Sequence, residues 1–345
     1  MKLIYVLLIF FCCVFKGYTQ QFIYENLVFE GAGIRGIAYS GVLYELEKNN
    51  IISQIKKVGG TSAGAITALM LSLGYTSNEV YTIIADTKFQ KFNDGAFFFI
   101  GGYARMRKRY GWYKSNKFEK WLQNIISKKT NNPDITFAEL EHKGFKKLYV
   151  TGTCLNKQEA IVFSAETYPH MKIKDAVRIS MSIPLYFEAG FIDEQGNVYK
   201  KKKERRVKEE NGEIDVVVDG GILANFPIFI FDSFLVDSTG KKVRIPNMKT
   251  LGVRIDTDEQ IKNDQTRKGL ADASIRNIRD YVGAFYILVL ENLNRNELTD
   301  TDWKRTISVS SVGIKPRIRR LTQEEKKKLQ KSGEMCTHQY FHRGK

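Results

Sequence analysis

Three short stretches combine residue types and spacings that chemistry can use. Gly60-Thr61-Ser62-Ala63-Gly64 is a Gly-x-Ser-x-Gly pentapeptide between an expected strand and an expected helix. In that setting a sharp turn projects the serine hydroxyl out of a sheet as a nucleophile. Its flanking glycines let neighbouring backbone approach without a Cβ in the way. The helix starting at Ala63 would aim its positive end at the serine, which favours an anion there. The second stretch, Gly31-Ala32-Gly33-Ile34-Arg35-Gly36, is a Gly-x-Gly-x-x-Gly loop after the apolar run of Asn26 to Glu30. The third runs three valines, 216–218, into Asp219-Gly220-Gly221. An Asp at the mouth of a buried strand sits where sites collect in α/β sheets. A nucleophilic serine needs a base. Asp219, His142 and His170 are the available groups, while Asp215 is expected inside the strand or on its other side.

The glycine loop has two readings. A dinucleotide site requires an acid about 20 residues on, at the end of the second strand, to hold the ribose. The second strand here, Gln54 to Gly60, carries no acid and ends in the serine turn instead. The nucleotide reading therefore lacks its confirming partner.

The elements that must position these residues alternate. Asn26 to Glu30 reads as a buried strand. Ile34 to Asn49 reads as a helix with Ile37, Val42, Leu43 and Leu46 as its apolar stripe. A short strand from Gln54 and a small-residue helix over Ala63–Leu73 follow. This β-α-β-α start predicts a parallel sheet with right-handed crossovers. Further strands are expected at 146–155, 159–165, 213–219, 248–256 and 305–311, and helices over Ser115–Ile126 and Ser274–Leu293. Thr322 to Glu325 is a capping box that opens a last helix to about Tyr340. Asn93 to Tyr113 is aromatic, glycine-containing and basic. It reads as a loop or lid with exposed Phe side chains, against the alternative of a helix pair packed on the sheet. Lys200 to Glu210 is a charge run, read as a solvated loop. No repeat or interdomain linker interrupts the chain, so one domain over 25–342 is the simplest organisation.

The chain has 345 residues, a formal charge of +16 and 43% hydrophobic residues. That charge favours anionic surfaces, whether phospholipid or nucleic acid. The uncharged run from Leu3 to Phe15 fits a signal-peptide core over residues 1–20 better than a full membrane span. Export is therefore expected, with a periplasmic, outer-membrane-associated or secreted product. The alternatives are a retained N-terminal membrane anchor, or lipidation at Cys12 or Cys13. Past that segment only Cys154 and Cys336 remain, too few for a disulfide framework. The four His are scattered and suggest no metal site. His338 and His342, four apart, read as solvated tail residues.

Four blocks in order resemble the patatin-like phospholipase family. They are Gly31 to Gly36, Gly60 to Gly64, Arg178 to Ala189 ("RISMSIPLYFEA") and Asp219-Gly220-Gly221 continued by "ILANFPI". Weaker likeness extends to Tyr110–Leu122 and to the terminal strand and helix, so the resemblance covers nearly the whole chain after the signal segment. It implies a three-layer α/β/α domain with a mainly parallel central sheet. It also implies a Ser-Asp dyad without a catalytic His, with Ser62 as nucleophile and Asp219 as base. The glycine loop then becomes an oxyanion loop, with the N–H groups of Gly33 and Ile34 as foremost donors. Gly31 and Ala32 shape the loop, which ends at Gly36, and Arg35 neutralises charge nearby. The family has Gly where this chain has Ala32, which matters only if that position needs a positive φ. Gly60 and Gly64 are the elbow glycines, and Gly220 and Gly221 the supporting turn.

The activity implied is hydrolysis of phospholipid carboxylic esters, of the phospholipase A type, in lipid catabolism. The substrate partner is a phospholipid or membrane surface, and no cofactor, metal or protein partner is implied. The rivals are a neutral-lipid or small-ester hydrolase and a non-catalytic lipid-binding protein of the same fold. Nucleic-acid binding is disfavoured by the export segment and the lack of a recognition motif.

Overall fold

Apolar runs without alternation need cover on both faces, and the fold supplies it with a sheet between helices. The computed structural model describes residues 23–95, 98–199, 214–266, 268–278, 280–281, 284–285, 288, 298–315 and 319–342. The expected signal segment, the charge run at 200–210 and part of the Phe-rich stretch lie outside them. The strands are β1 (Asn26–Phe29), β2 (Lys57–Gly60), β3 (Gly111–Tyr113), β4 (Lys147–Cys154), β5 (Glu159–Phe163), β6 (Leu185–Phe187), β7 (Gly190–Ile192), β8 (Asp215–Asp219), β9 (Ser233–Val236), β10 (Lys242–Ile245), β11 (Thr250–Asp256) and β12 (Thr306–Ser310). The helices are α1 (Ala38–Lys48), α2 (Ala63–Ser72), α3 (Ser77–Asp86), α4 (Phe98–Arg109), α5 (Asn116–Thr130), α6 (Phe137–His142), α7 (Ile173–Ser180), α8 (Gly221–Ala224), α9 (Asp258–Thr266), α10 (Asp300–Lys304) and α11 (Gln323–His342).

The main sheet runs β12-β11-β1-β2-β4-β8-β7, with β5 also on β4. The pairings from β12 to β4 are all parallel, and those of β4 with β5 and β8, and of β8 with β7, are antiparallel. Helices on both faces complete a three-layer α/β/α architecture. The all-round apolar α2 is buried along its whole length beside β2 and β4, as such a helix must be. The stripe of α1 is buried as expected, and its outer side takes α11.

The pairing around β4 matters most. β5 occupies one edge of β4 from Val150 to Cys154. On the other edge β2 pairs up to Gly60↔Val150, and β8 begins its pairing at Asp219↔Gly152. β2 and β8 therefore lie end to end along one edge, running toward each other. Their facing ends are two β4 residues apart, or about 7 Å along the strand.

Several expectations need correction. Asn93 to Tyr113 is not a loop, because α4 and β3 occupy most of it. Its glycines serve packing: a Cβ on Gly102 would run into the Trp112 indole. The helix read from Ile34 starts as a 3₁₀ turn, Gly33–Ile37, and becomes α-helical only at Ala38. Gln54 belongs to a 3₁₀ turn, so β2 begins at Lys57. Residues 271–276 have no regular structure, and much of the helix expected over Ser274–Leu293 lies outside the described residues. His338 and His342 are exposed, as expected of solvated residues, but they belong to an ordered helix rather than a tail. They stack on α11 with ring centroids 4.0 Å apart, and His338 Nδ1 lies 3.0 Å from Glu45 Oε1 on α1.

Candidate active site

The turn after β2 gives the site its shape. Ser62 adopts φ 52°, ψ −120°, a left-handed conformation that costs a non-glycine residue about 1–3 kcal/mol. The turn holds because its two glycines admit backbone on both sides. A Cβ on Gly60 would stand 2.5 Å from Gly64 C, and one on Gly64 would stand 2.5 Å from Glu30 O. Thr61 locks the base of the turn: its hydroxyl donates to Ala224 O at 2.6 Å and lies 2.5 Å from Thr151 Oγ1. With the Thr61 proton committed to the carbonyl, Thr151 is the donor between the two hydroxyls.

Ser62 is nearly enclosed, at 8% exposure. Its backbone N–H donates to Ser180 Oγ at 2.9 Å, and its Oγ donates to Met181 Sδ at 3.2 Å. Asp219 comes to the same place from β8. It reaches the carboxyl ends of the parallel strands by running antiparallel to them, a direction that an Asp-Gly-Gly motif does not announce. Its N–H donates to Ser182 O at 3.0 Å, and its Oδ1 accepts from Gly221 N–H at 2.8 Å. Burial raises its carboxyl from the ordinary 3.8 to about 7; the Gly221 N–H and then the Ser62 side chain offset part of that rise.

The glycine loop packs against both. Gly33 has φ +54°, where glycine is at ease. Ala32 has φ −130°, so the Ala in place of the family's Gly is unstrained. Among the described residues no acceptor takes the N–H of Gly33 or of Ile34, whereas Gly31 N–H is spent on Asn225 O at 2.9 Å. Arg35 turns back on its own loop, with Nε donating to Ala32 O at 3.2 Å. Gly36 sits against Ala63: a Cβ there would lie 3.1 Å from Ala63 Cβ. Gly220 lies against Thr151, and a Cβ there would fall 2.7 Å from Thr151 O.

Beside Ser62 opens a cavity of about 60 Å³, walled by apolar side chains including Ile34, Ile66, Ile84, Phe92, Met181 and Phe187. A hydroxyl, a carboxyl poised near neutrality, two unspent N–H groups and an apolar slot thus meet in one place. Such a set can attack an ester and hold the oxyanion that forms. His142 and His170 are exposed and are not brought to Ser62. Asp215 opens β8, where it pairs with Lys157 at 2.7 Å.

Five residues with no role assigned from the sequence also support the site. Ser180 and Met181 touch Ser62, and Ser182 holds Asp219; all three belong to the third block, whose signal was the block itself. Asn225, in the continuation of the fourth block, has its Nδ2 3.3 Å from Gly31 O and 3.4 Å from Glu30 Oε1, tying the glycine loop to the turn after Asp219. Buried Glu30, read only as a strand end, accepts Ile255 N–H at 3.1 Å and so fixes the start of the loop to β11.

A family model for patatin-like phospholipase matches residues 27–232. The chain is 30% identical over 217 residues to an uncharacterized protein, R571, of Acanthamoeba polyphaga mimivirus, covering 63% of this chain and 64% of that protein. It is 29% identical over 213 residues to a probable lipid hydrolase, 463L, of Invertebrate iridescent virus 6, covering 60% of this chain and 63% of the other. The chain thus spans somewhat under two thirds of these relatives' lengths. The fold is similar to that of VipD from Legionella pneumophila, with a TM-score of 0.54 at 17% identity over 92% of this chain and 67% of that one. The matched segment takes in all four blocks and every strand from β1 to β8, and on that match the chain belongs to the patatin-like phospholipase family.

Proposed function

We propose that this protein is a lipid acyl hydrolase that cleaves carboxylic esters of phospholipids with a Ser62–Asp219 dyad. The observation that carries the reading is the end-to-end placement of β2 and β8 along β4, which sets a buried carboxyl within hydrogen-bonding reach of a strained serine that lines the cavity. In the proposed reaction the Asp219 carboxylate takes the Ser62 proton as Oγ attacks the ester carbonyl. The N–H groups of Gly33 and Ile34 receive the oxyanion, and the apolar slot holds the acyl chain. The alcohol leaves with the proton, and water, deprotonated in turn by Asp219, releases the fatty acid. A carboxyl near 7 suits both transfers, because general acid–base catalysis works best with a group close to the working pH.

The test compares hydrolysis of a phospholipid and of a short-chain ester by the wild type, Ser62→Ala and Asp219→Asn. The expected result is cleavage of both substrates by the wild type and a loss of at least about 10³-fold in each variant. Full activity in Ser62→Ala would refute the nucleophile. Loss in Ser62→Ala alone would refute Asp219 as the base. A wild type active only on the short ester or on a neutral lipid would leave an esterase and remove the phospholipid.

A further inference from the structure

A second, larger cavity of about 140 Å³ backs onto the Ser62 slot, and Ile34, Ile37, Ile84 and Phe89 line both. The shared wall therefore includes the 3₁₀ turn of the glycine loop. Where the slot is apolar, this neighbour is basic. Its basic lining comes from two distant parts of the chain: Lys88 just after α3, and Arg319, Arg320 and Lys326 around the start of α11. Arg319 is committed to Glu325, with contacts of 2.6 and 2.9 Å. Lys326 donates one proton to Ala85 O at 2.5 Å, which leaves two of its three donors. Lys88 and Arg320 extend exposed side chains at the rim, and Asp86 is the carboxylate in the lining. Three cations with donors to spare thus face one carboxylate.

A phospholipid carries an acyl ester and an anionic phosphodiester on neighbouring carbons of one glycerol. A site that cleaves it gains from an apolar slot and a cation site a few bonds apart, and a neutral lipid has no group for the second. We propose that the basic cavity seats the phosphate of the phospholipid whose ester lies at Ser62, with Lys88 and Arg320 as its principal contacts. This rests on the acyl-hydrolase reading above and adds to it a headgroup subsite and a preference for anionic phospholipids. Lys and Arg contacts to phosphate are charge-assisted, and Arg adds planar bidentate geometry.

The test uses substrates below their micelle concentration, so that adsorption to a surface plays no part. Dihexanoyl phosphatidylglycerol and dihexanoylglycerol are compared in the wild type, in Lys88→Gln/Arg320→Gln and in Lys327→Gln/Lys331→Gln. The last pair removes two exposed charges of α11 that do not line the cavity. In the cavity variant kcat/KM on the phosphatidylglycerol should fall about tenfold, the effect of losing roughly 1.4 kcal/mol, while the neutral diester stays within about twofold. The control pair should match the wild type on both substrates. Inorganic phosphate should compete with the phosphatidylglycerol and leave cleavage of the neutral diester unchanged; an effect on both would indicate a free-phosphate site and overturn the proposal. Equal losses on both lipids, or no loss in the cavity variant, would overturn it as well. A wild type that cleaves the neutral diester and not the phosphatidylglycerol would bring down the phospholipid reading itself, whereas cleavage of phosphatidylglycerol with an indifferent cavity variant would sink only the subsite.

Discussion

Asp219→Asn replaces a buried carboxyl with a neutral side chain of nearly the same shape, and it should change how stability depends on pH. In the folded protein burial raises this carboxyl from 3.8 to about 7. The unfolded chain releases the proton near the ordinary value, so between about pH 4 and pH 7 the folded state binds more protons than the unfolded one. Stability then falls as pH rises through that window. At about 1.4 kcal/mol per pH unit, the full effect is on the order of 4 kcal/mol, present below the unfolded pKa and gone above the folded one. Other groups titrate too, and subtracting the variant's profile from the wild type's cancels those distant from the site. The assay is denaturant unfolding of both proteins at closely spaced pH values between about 4 and 8.5. Relative to Asp219→Asn, the wild type should lose stability steadily and level off above about pH 8. In activity the same carboxyl gives an acid limb: kcat/KM should rise with pH and reach its plateau past about 7. Parallel stability profiles, or an acid limb centred near 4, would refute the claim that burial dominates this carboxyl.

Ser62→Gly should abolish hydrolysis yet raise stability by about 1 kcal/mol, since glycine takes φ 52° without strain; thermal unfolding against Ser62→Ala, which keeps the Cβ, isolates the strain. Gly64→Ala places a Cβ 2.5 Å from Glu30 O and should cost about 3 kcal/mol or more, read as loss of soluble protein or a large drop in the denaturation midpoint.

The parallel half of the sheet was legible because buried strands and an amphipathic α1 carry strong periodic signals. The tight turn at Ser62 was legible because Gly-x-Ser-x-Gly sets glycines at fixed offsets, and the structure gives both glycines a steric reason. Asp219 could be placed at a strand end, but not its direction of approach: a strand sequence is silent on whether it runs parallel or antiparallel to a distant neighbour. The 93–113 stretch misled because glycine beside aromatics suggests irregularity, whereas Gly102 is small to admit Trp112. Ser180, Met181 and Asn225 lay inside recognised blocks, but the sequence assigned none of them a role. Their roles depend on β4 gathering segments more than a hundred residues apart, and short polar side chains look alike in sequence wherever they end up.

The register on β4 also bears on how this protein can change. The span between Ser62 and Asp219 is measured off along a third strand, so it does not depend on the length of chain joining them. Loops between α2 and β8 can lengthen, shorten or acquire new elements while both side chains keep their places. The charge-rich run follows Tyr199, and the described residues resume at Ile214, one residue before β8 begins. A fold arranged this way separates its chemistry from its periphery: specificity can be rewritten in the connections, while a one-residue slip of β4 would disable every version alike.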